Sequence, residues 1–79
     1  MSFDLLVFES GLEPEVIQFD TENAPRVYTI DGELHKVTLR SAYWLSITPQ
    51  PQYLVVFNYD VPKHVFKDAV EGLSPRYYQ

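Results

Sequence analysis

Apolar positions run together, alternate or recur at helical spacing in different parts of this chain, and each pattern predicts an element. Residues 3–8, FDLLVF, form a short apolar run broken only by Asp4. A run without alternation is expected of a strand with little exposed face, hence a central one. ESGLEP at 9–14 is turn chemistry. EVIQFD at 15–20 is expected to form a second short strand, and DTENAP at 20–25 a polar loop in which Pro25 pushes Ala24 toward extended backbone.

The next pattern is a hairpin. RVYTI and ELHKVTL flank Asp31-Gly32, which supplies the positive φ angles of a two-residue type I′ turn. That turn places Ile30 opposite Glu33, Tyr28 opposite His35 and Arg26 opposite Val37. One face then carries Tyr28, Ile30, Val37 and Leu39, and the other Val27, Thr29, Leu34, Lys36 and Thr38. Neither face is fully polar, so one is expected to be covered and the other partly contacted. A second hairpin is expected from AYWLSIT and YLVVFNY around Pro49–Gln52. It would pair Thr48 with Tyr53, Ser46 with Val55 and Trp44 with Phe57, and set Leu45 against Val56 and Ile47 against Leu54.

The chain then changes period. Pro62, Val65, Phe66, Ala69, Val70 and Leu73 recur at helical spacing and form one apolar stripe. Asp60 is placed to cap this helix through the Lys63 amide, with Pro62 in the first turn. Gly72 is expected to end it in a left-handed conformation, and Ser74-Pro75 to stop it. The tail RYYQ is expected to lie back on the sheet. The corner Asp60-Val61-Pro62 is thus a place where a strand turns over and lays a helix on its own sheet. The fold class expected is α+β: a mainly antiparallel sheet of four to six strands with one C-terminal helix packed on it. The expected core is Leu5, Val7, Ile17, Ile30, Val37, Leu39, Leu45, Val55, Phe57, Val65, Phe66 and Val70.

Length makes this a single domain, residues 1–79. A chain of this size buries only about 60–65% of its unfolded surface, so its one core needs good packing or a partner. The hydrophobic content of 46% favours a folded globule. With no cysteine there is neither disulfide nor thiolate metal site, and no apolar run reaches the ~20 residues of a membrane span. MSFDLLVFESG has no basic residue before its apolar run and reads poorly as a signal peptide, so a cytoplasmic location is expected.

Charge sharpens the picture. The net charge is −5, and residues 1–25 hold six acidic residues and no basic one, against five acidic and six basic in 26–79. Such an acidic segment repels phosphate backbones. It serves as a solubilising edge or as a surface for a basic partner. Gly11, Gly32 and Gly72 are too far apart for a phosphate loop, and His35 and His64 have no metal-ligand spacing. No serine sits in an elbow motif, and Glu13 and Glu15 share an acidic turn without burial. The expectation is a protein that is not an enzyme and needs no metal or cofactor.

From Ser41 onward the pieces YLVVF, YDVPKHVFKDAV and SPRYY resemble the KTSC domain, a small domain found alone in bacterial and phage proteins and at the ends of larger ones. They are similar to that family's strand, Tyr-x-Val-Pro corner, helix and Ser-Pro…Tyr ending. The family's hairpin before the Val-Pro corner and its Gly after Ser-Pro have no match, and residues 1–40 have no counterpart. The resemblance implies a small α+β accessory domain with a link to RNA metabolism.

The leading functional expectation is a small non-enzymatic protein–protein interaction module or homo-oligomer, with another protein or a second copy in a homodimer as the expected partner. It would use the acidic residues Glu9, Glu13 and Glu15 or the aromatic Tyr43, Trp44, Tyr53 and Tyr59. Tiny, acidic, cysteine-free chains are associated with phage and other mobile elements, where they block host proteins, and an accessory protein of that kind is expected. The alternative is a single-stranded nucleic-acid binder. It would use the aromatic residues Tyr28, Tyr43, Trp44, Tyr53, Phe57, Tyr59, Tyr77 and Tyr78 with Arg26, Lys36, Arg40, Lys63, Lys67 and Arg76. A third reading is a small-ligand pocket between two protomers.

Overall fold

The computed structural model describes residues 2–41 and 51–78. Its elements are β1 (Ser2–Phe8), β2 (Glu15–Asp20), β3 (Val27–Ile30), β4 (Glu33–Lys36), β5 (Thr38–Ser41), β6 (Gln52–Phe57) and α1 (Lys63–Leu73). Strands β2, β1, β6 and β5 form one sheet in that order, and β3 and β4 form a separate two-stranded hairpin. The β1–β6 pair is parallel, and the other pairs are antiparallel. The architecture is α+β, as the sequence pattern indicates.

The apolar run in β1 has a direct structural cause. Leu6 and Phe8 belong to a cluster with Tyr53, Val55, Val61, Phe66, Ala69 and Val70, on the face covered by α1. Leu5 and Val7 belong to a second cluster with Leu54, Val56, Ile30 and Val37, on the face covered by the β3–β4 hairpin. Successive strand side chains point to opposite faces. A central strand with both faces covered therefore needs apolar residues at consecutive positions. The molecule is a helix, a sheet and a hairpin in three layers.

Phe66 anchors the helix layer. Its ring lies 5.8 Å from that of Phe8 and 6.4 Å from that of Tyr53, the latter edge-on. The Arg40 guanidinium carbon sits 4.9 Å above the Phe66 ring, and Arg40 Nη2 donates to the Val61 carbonyl at 3.1 Å. Arg40 thus ties strand β5 to the corner that launches the helix.

The Asp31-Gly32 hairpin has the expected register: Ile30 opposite Glu33 and Tyr28 opposite His35. Asp31 has φ 51° and Gly32 φ 80°, as a type I′ turn demands. The Val37 amide donates to the Arg26 carbonyl at 2.8 Å, extending the ladder one step.

Four expectations are corrected. The second hairpin does not form in the expected register. Strand β6 pairs instead with β5, so Tyr53 faces Arg40, Leu54 faces Leu39 and Val55 faces Thr38. The expected partners Tyr43, Trp44, Leu45, Ser46, Ile47 and Thr48 lie outside the described residues. Asp60 does not cap α1. Pro62 itself occupies the N-cap position with extended backbone, its carbonyl accepts the Phe66 amide at 3.1 Å, and no side chain caps the helix. Pro62 was expected inside the first turn, and its place at the cap leaves Asp60 too far back to reach the free amides. At the other end Gly72 remains helical, and Ser74 takes the left-handed position with φ 50°, donating its amide to the Val70 carbonyl. Finally, Leu39 is 47% exposed. The chain leaves the hairpin after Lys36 and joins the main sheet at Thr38, so Leu39 lies opposite Leu54 on the edge strand β5, on the hairpin side of the sheet but left open to a cleft. Of the other expected core residues, Ile17, Phe57 and Val65 are partly buried, and the described remainder are fully buried.

Two substitutions test this account in urea melts. Phe66→Ala should cost about 3–5 kcal/mol, because it empties the contact between helix and sheet. Asp60→Ala should stay within about 0.5 kcal/mol of the parent. A loss near 1 kcal/mol at Asp60 would restore the cap.

Candidate functional site

The two ends of the sheet differ in chemistry. At one end the β1–β2 connection makes a tight turn in which the Leu12 amide donates to the Glu9 carbonyl at 3.0 Å. Gly11 at the third position has φ 85°, the conformation a type II turn requires there. The turn is clamped to the end of β6: the Ser10 amide donates to Asn58 Oδ1 at 2.8 Å, and the Asn58 amide to the Phe8 carbonyl at 3.2 Å. Glu9 is partly buried, Glu13 and Glu15 are exposed, and Leu12 at the tip is 62% exposed. The three carboxylates expected at the site are thus brought to one end.

At the opposite end the C-terminal tail folds back. The Tyr78 amide donates to the Gln52 carbonyl at 2.7 Å, and the Tyr78 ring stacks on Phe3 with centroids 6.1 Å apart. The Arg76 amide and guanidinium both donate to the Asp4 carboxylate, at 2.8 and 2.9 Å. Asp4 is buried, and this pair is why an acidic residue can interrupt the apolar run of β1. The pairing with a tail 72 positions away is what the sequence pattern did not reveal.

The tail and the sheet enclose two open clefts. One, of about 260 Å³, is lined by Ser2, Phe3, Asp4, Leu54, Arg76, Tyr77 and Tyr78. The other, of about 330 Å³, is lined by Asn23, Ala24, Pro25, Arg26, Lys36, Val37, Leu39, Leu54 and Tyr78. Leu54 and Tyr78 line both, so the two clefts adjoin and make a groove in two parts. Its lining carries Arg26, Lys36 and Arg76 against a single carboxylate, Asp4, which Arg76 already occupies. Among the described residues, Arg26 and Lys36 are exposed and no side-chain ion pair engages them. Leu39, Tyr77 and Tyr78 present large apolar surface to the groove.

The other site residues scatter. Tyr53 is only 7% exposed, because α1 covers its face, so it is a core residue and not an interaction surface. Tyr59 is partly buried against the same cluster. Tyr43 and Trp44 lie outside the described residues. Asp60 and Pro62 are exposed at the corner. The described aromatic and basic residues of the nucleic-acid reading do not share one face. Arg40 stacks on Phe66, and Lys67 lies 3.9 Å from Glu71 along the helix. Tyr28 packs edge-on against Phe19. His35 is half-buried, and its Nε2 lies 3.9 Å from Glu33, too far for a hydrogen bond. Among the described residues no cluster of His, Asp and Glu is placed to hold a metal ion, and no helix is long and apolar enough to cross a membrane.

A scan against protein-family models finds no match, and searches of curated proteins and of solved structures find none either. The resemblance of residues 41–79 to the KTSC domain therefore stands on the quoted residues alone.

The Asp4–Arg76 latch gives the groove a pH dependence. The hydrogen bond from the Arg76 side chain holds the Asp4 carboxyl below its ordinary value; the Arg76 amide and charge act in the same direction, and burial opposes them. The folded-state pKa thus lies below the unfolded one. The latch contributes stability above the ordinary carboxylate pKa of about 3.9, and that contribution is lost as pH falls through the folded value. Asp4→Asn should lower the melting temperature at neutral pH and flatten its fall on acidification. Melts from about pH 7 to about pH 2 would show this, and a variant with the parent's acid limb would exclude the latch.

Proposed function

We propose that this chain is a non-enzymatic protein-interaction module that docks a protein through the groove beneath its C-terminal tail. One observation carries the reading: Leu39, Tyr77 and Tyr78, large apolar side chains left exposed by the fold, line two adjoining clefts, Tyr77 and Tyr78 the first and Leu39 and Tyr78 the second, whose lining also holds Arg26 and Lys36. Aromatic and arginine side chains around a concave apolar floor are the usual anchors of protein interfaces. A role as an accessory protein that engages a host or partner protein, as phage and mobile-element chains do, fits a module of this size. Binding of single-stranded nucleic acid is the second reading, because the same groove sets Tyr77 and Tyr78 beside cations. It is disfavoured by the net charge of −5.

Photo-crosslinking separates the two. With Tyr77→p-benzoylphenylalanine in the cells that make the protein, irradiation should give a discrete protein adduct. Leu39→Asp or Arg26→Glu should reduce it by about tenfold, as loss of an interface anchor does. An adduct with nucleic acid alone, or a protein adduct indifferent to both substitutions, would contradict the reading.

A further inference from the structure

The groove has a complement on the same molecule, at the other end of the sheet. The β1–β2 turn projects Leu12 between carboxylates: Glu9 precedes it, and Glu13 and Glu15 follow. The groove offers an apolar floor of Leu39, Leu54 and Tyr78 with the cations Arg26 and Lys36 in its lining. Shape and charge therefore match in kind, an apolar tip with acidic flanks against an apolar cleft with basic residues in its lining. The two surfaces cannot meet within one molecule. They lie at opposite ends of β1, whose seven residues hold them roughly 20 Å apart.

We infer that the groove of one copy receives the acidic Leu12 turn of a second copy. Both surfaces are held in place before they meet. The turn is fixed by the Glu9–Leu12 bond and the Asn58 clamp, and the groove by the Asp4–Arg76 latch and the Gln52–Tyr78 bridge. Little ordering entropy is then lost on docking. Since each copy uses one surface to give and a different one to receive, the contact is heterologous and builds a ring or an open chain of copies, not a two-fold dimer. Its charged rim makes association weaken with added salt. The inference rests on the reading of the groove as a protein-docking site and names the protein that docks.

Two variants test it, both at exposed positions that leave the core intact. Leu12→Asp removes the tip, and the double substitution Arg26→Glu with Lys36→Glu reverses the groove. In sedimentation over a concentration series, the parent should associate progressively, and more salt should reverse this. Each variant alone should need about tenfold or more higher concentration to associate. Mixed in equal amounts, they should form a one-to-one complex and stop there. The first retains a working groove, the second a working turn, and the two remaining surfaces are both acidic. A parent that stays monomeric throughout, or assembly that survives either variant, or a mixture that does not pair, would overturn the inference. A monomeric parent whose Tyr77 crosslink falls on a different protein would also overturn it, while leaving the docking function of the groove in place. If a monomeric parent instead bound poly-glutamate or a single-stranded oligonucleotide at Arg26 and Lys36, the groove would belong to that ligand.

Discussion

Everything in this fold depends on β1 being covered from both sides. Leu5, Leu6, Val7 and Phe8 are all buried, two facing the helix layer and two facing the hairpin layer. Neither cover could exist alone. The helix presents only Phe66, Ala69 and Val70 as fully buried residues, and the hairpin region contributes Ile30 and Val37. Each is a thin apolar lid that needs a rigid sheet beneath it. The sheet in turn needs both lids, since an isolated four-stranded sheet with apolar residues on both faces would aggregate. In a chain this short, that mutual dependence stands in for a thick core.

The same strand fixes the two ends of the molecule. Its first residues carry Asp4, which draws the tail back through Arg76, and Phe3, which stacks under Tyr78. Its last residue, Phe8, leads into the turn that displays Leu12 and the carboxylates. Electrostatic polarity along the strand axis therefore follows from where the tail and the first turn attach. Of the six acidic residues in 1–25, Glu9, Glu13 and Glu15 lie at the turn, while Asp4, Asp20 and Glu22 lie toward the other end, where the loop before β3, β4 and the tail bring Arg26, Lys36 and Arg76 to the clefts.

Local chemistry was legible in the sequence, and long-range partnership was less so. Asp31-Gly32 specified a hairpin register because only two residues and their φ angles decide it. The FDLLVF run specified a central strand, and the 62–73 stripe a helix with one buried face. The partner of β6 was not legible. Segments 38–41 and 43–48 both alternate, and choosing between them depends on how the chain crosses from hairpin to sheet at Val37. The helix start was misplaced because Asp60 is a good cap by composition, whereas the backbone reaches helical angles only after Pro62. Tyr53 looked like an interface residue because tyrosine suits both rim and core; the helix lying over β6 decides for the core. The acidic half of the site was visible as a charge run. The groove was not, because Leu54 and Tyr78 are far in sequence from the segment that holds Arg26, Lys36 and Leu39 and join it only when β6 pairs with β5 and the tail returns.

The claim at the centre of this account is that the molecule has two complementary ends. Amide chemical shifts followed on dilution test it most directly. The account predicts that shifts move together at Ser10–Glu15 and around Arg26, Lys36, Leu39 and Tyr78, with the outer face of α1 unchanged. Shifts confined to a single patch, or a spectrum indifferent to concentration, would contradict it.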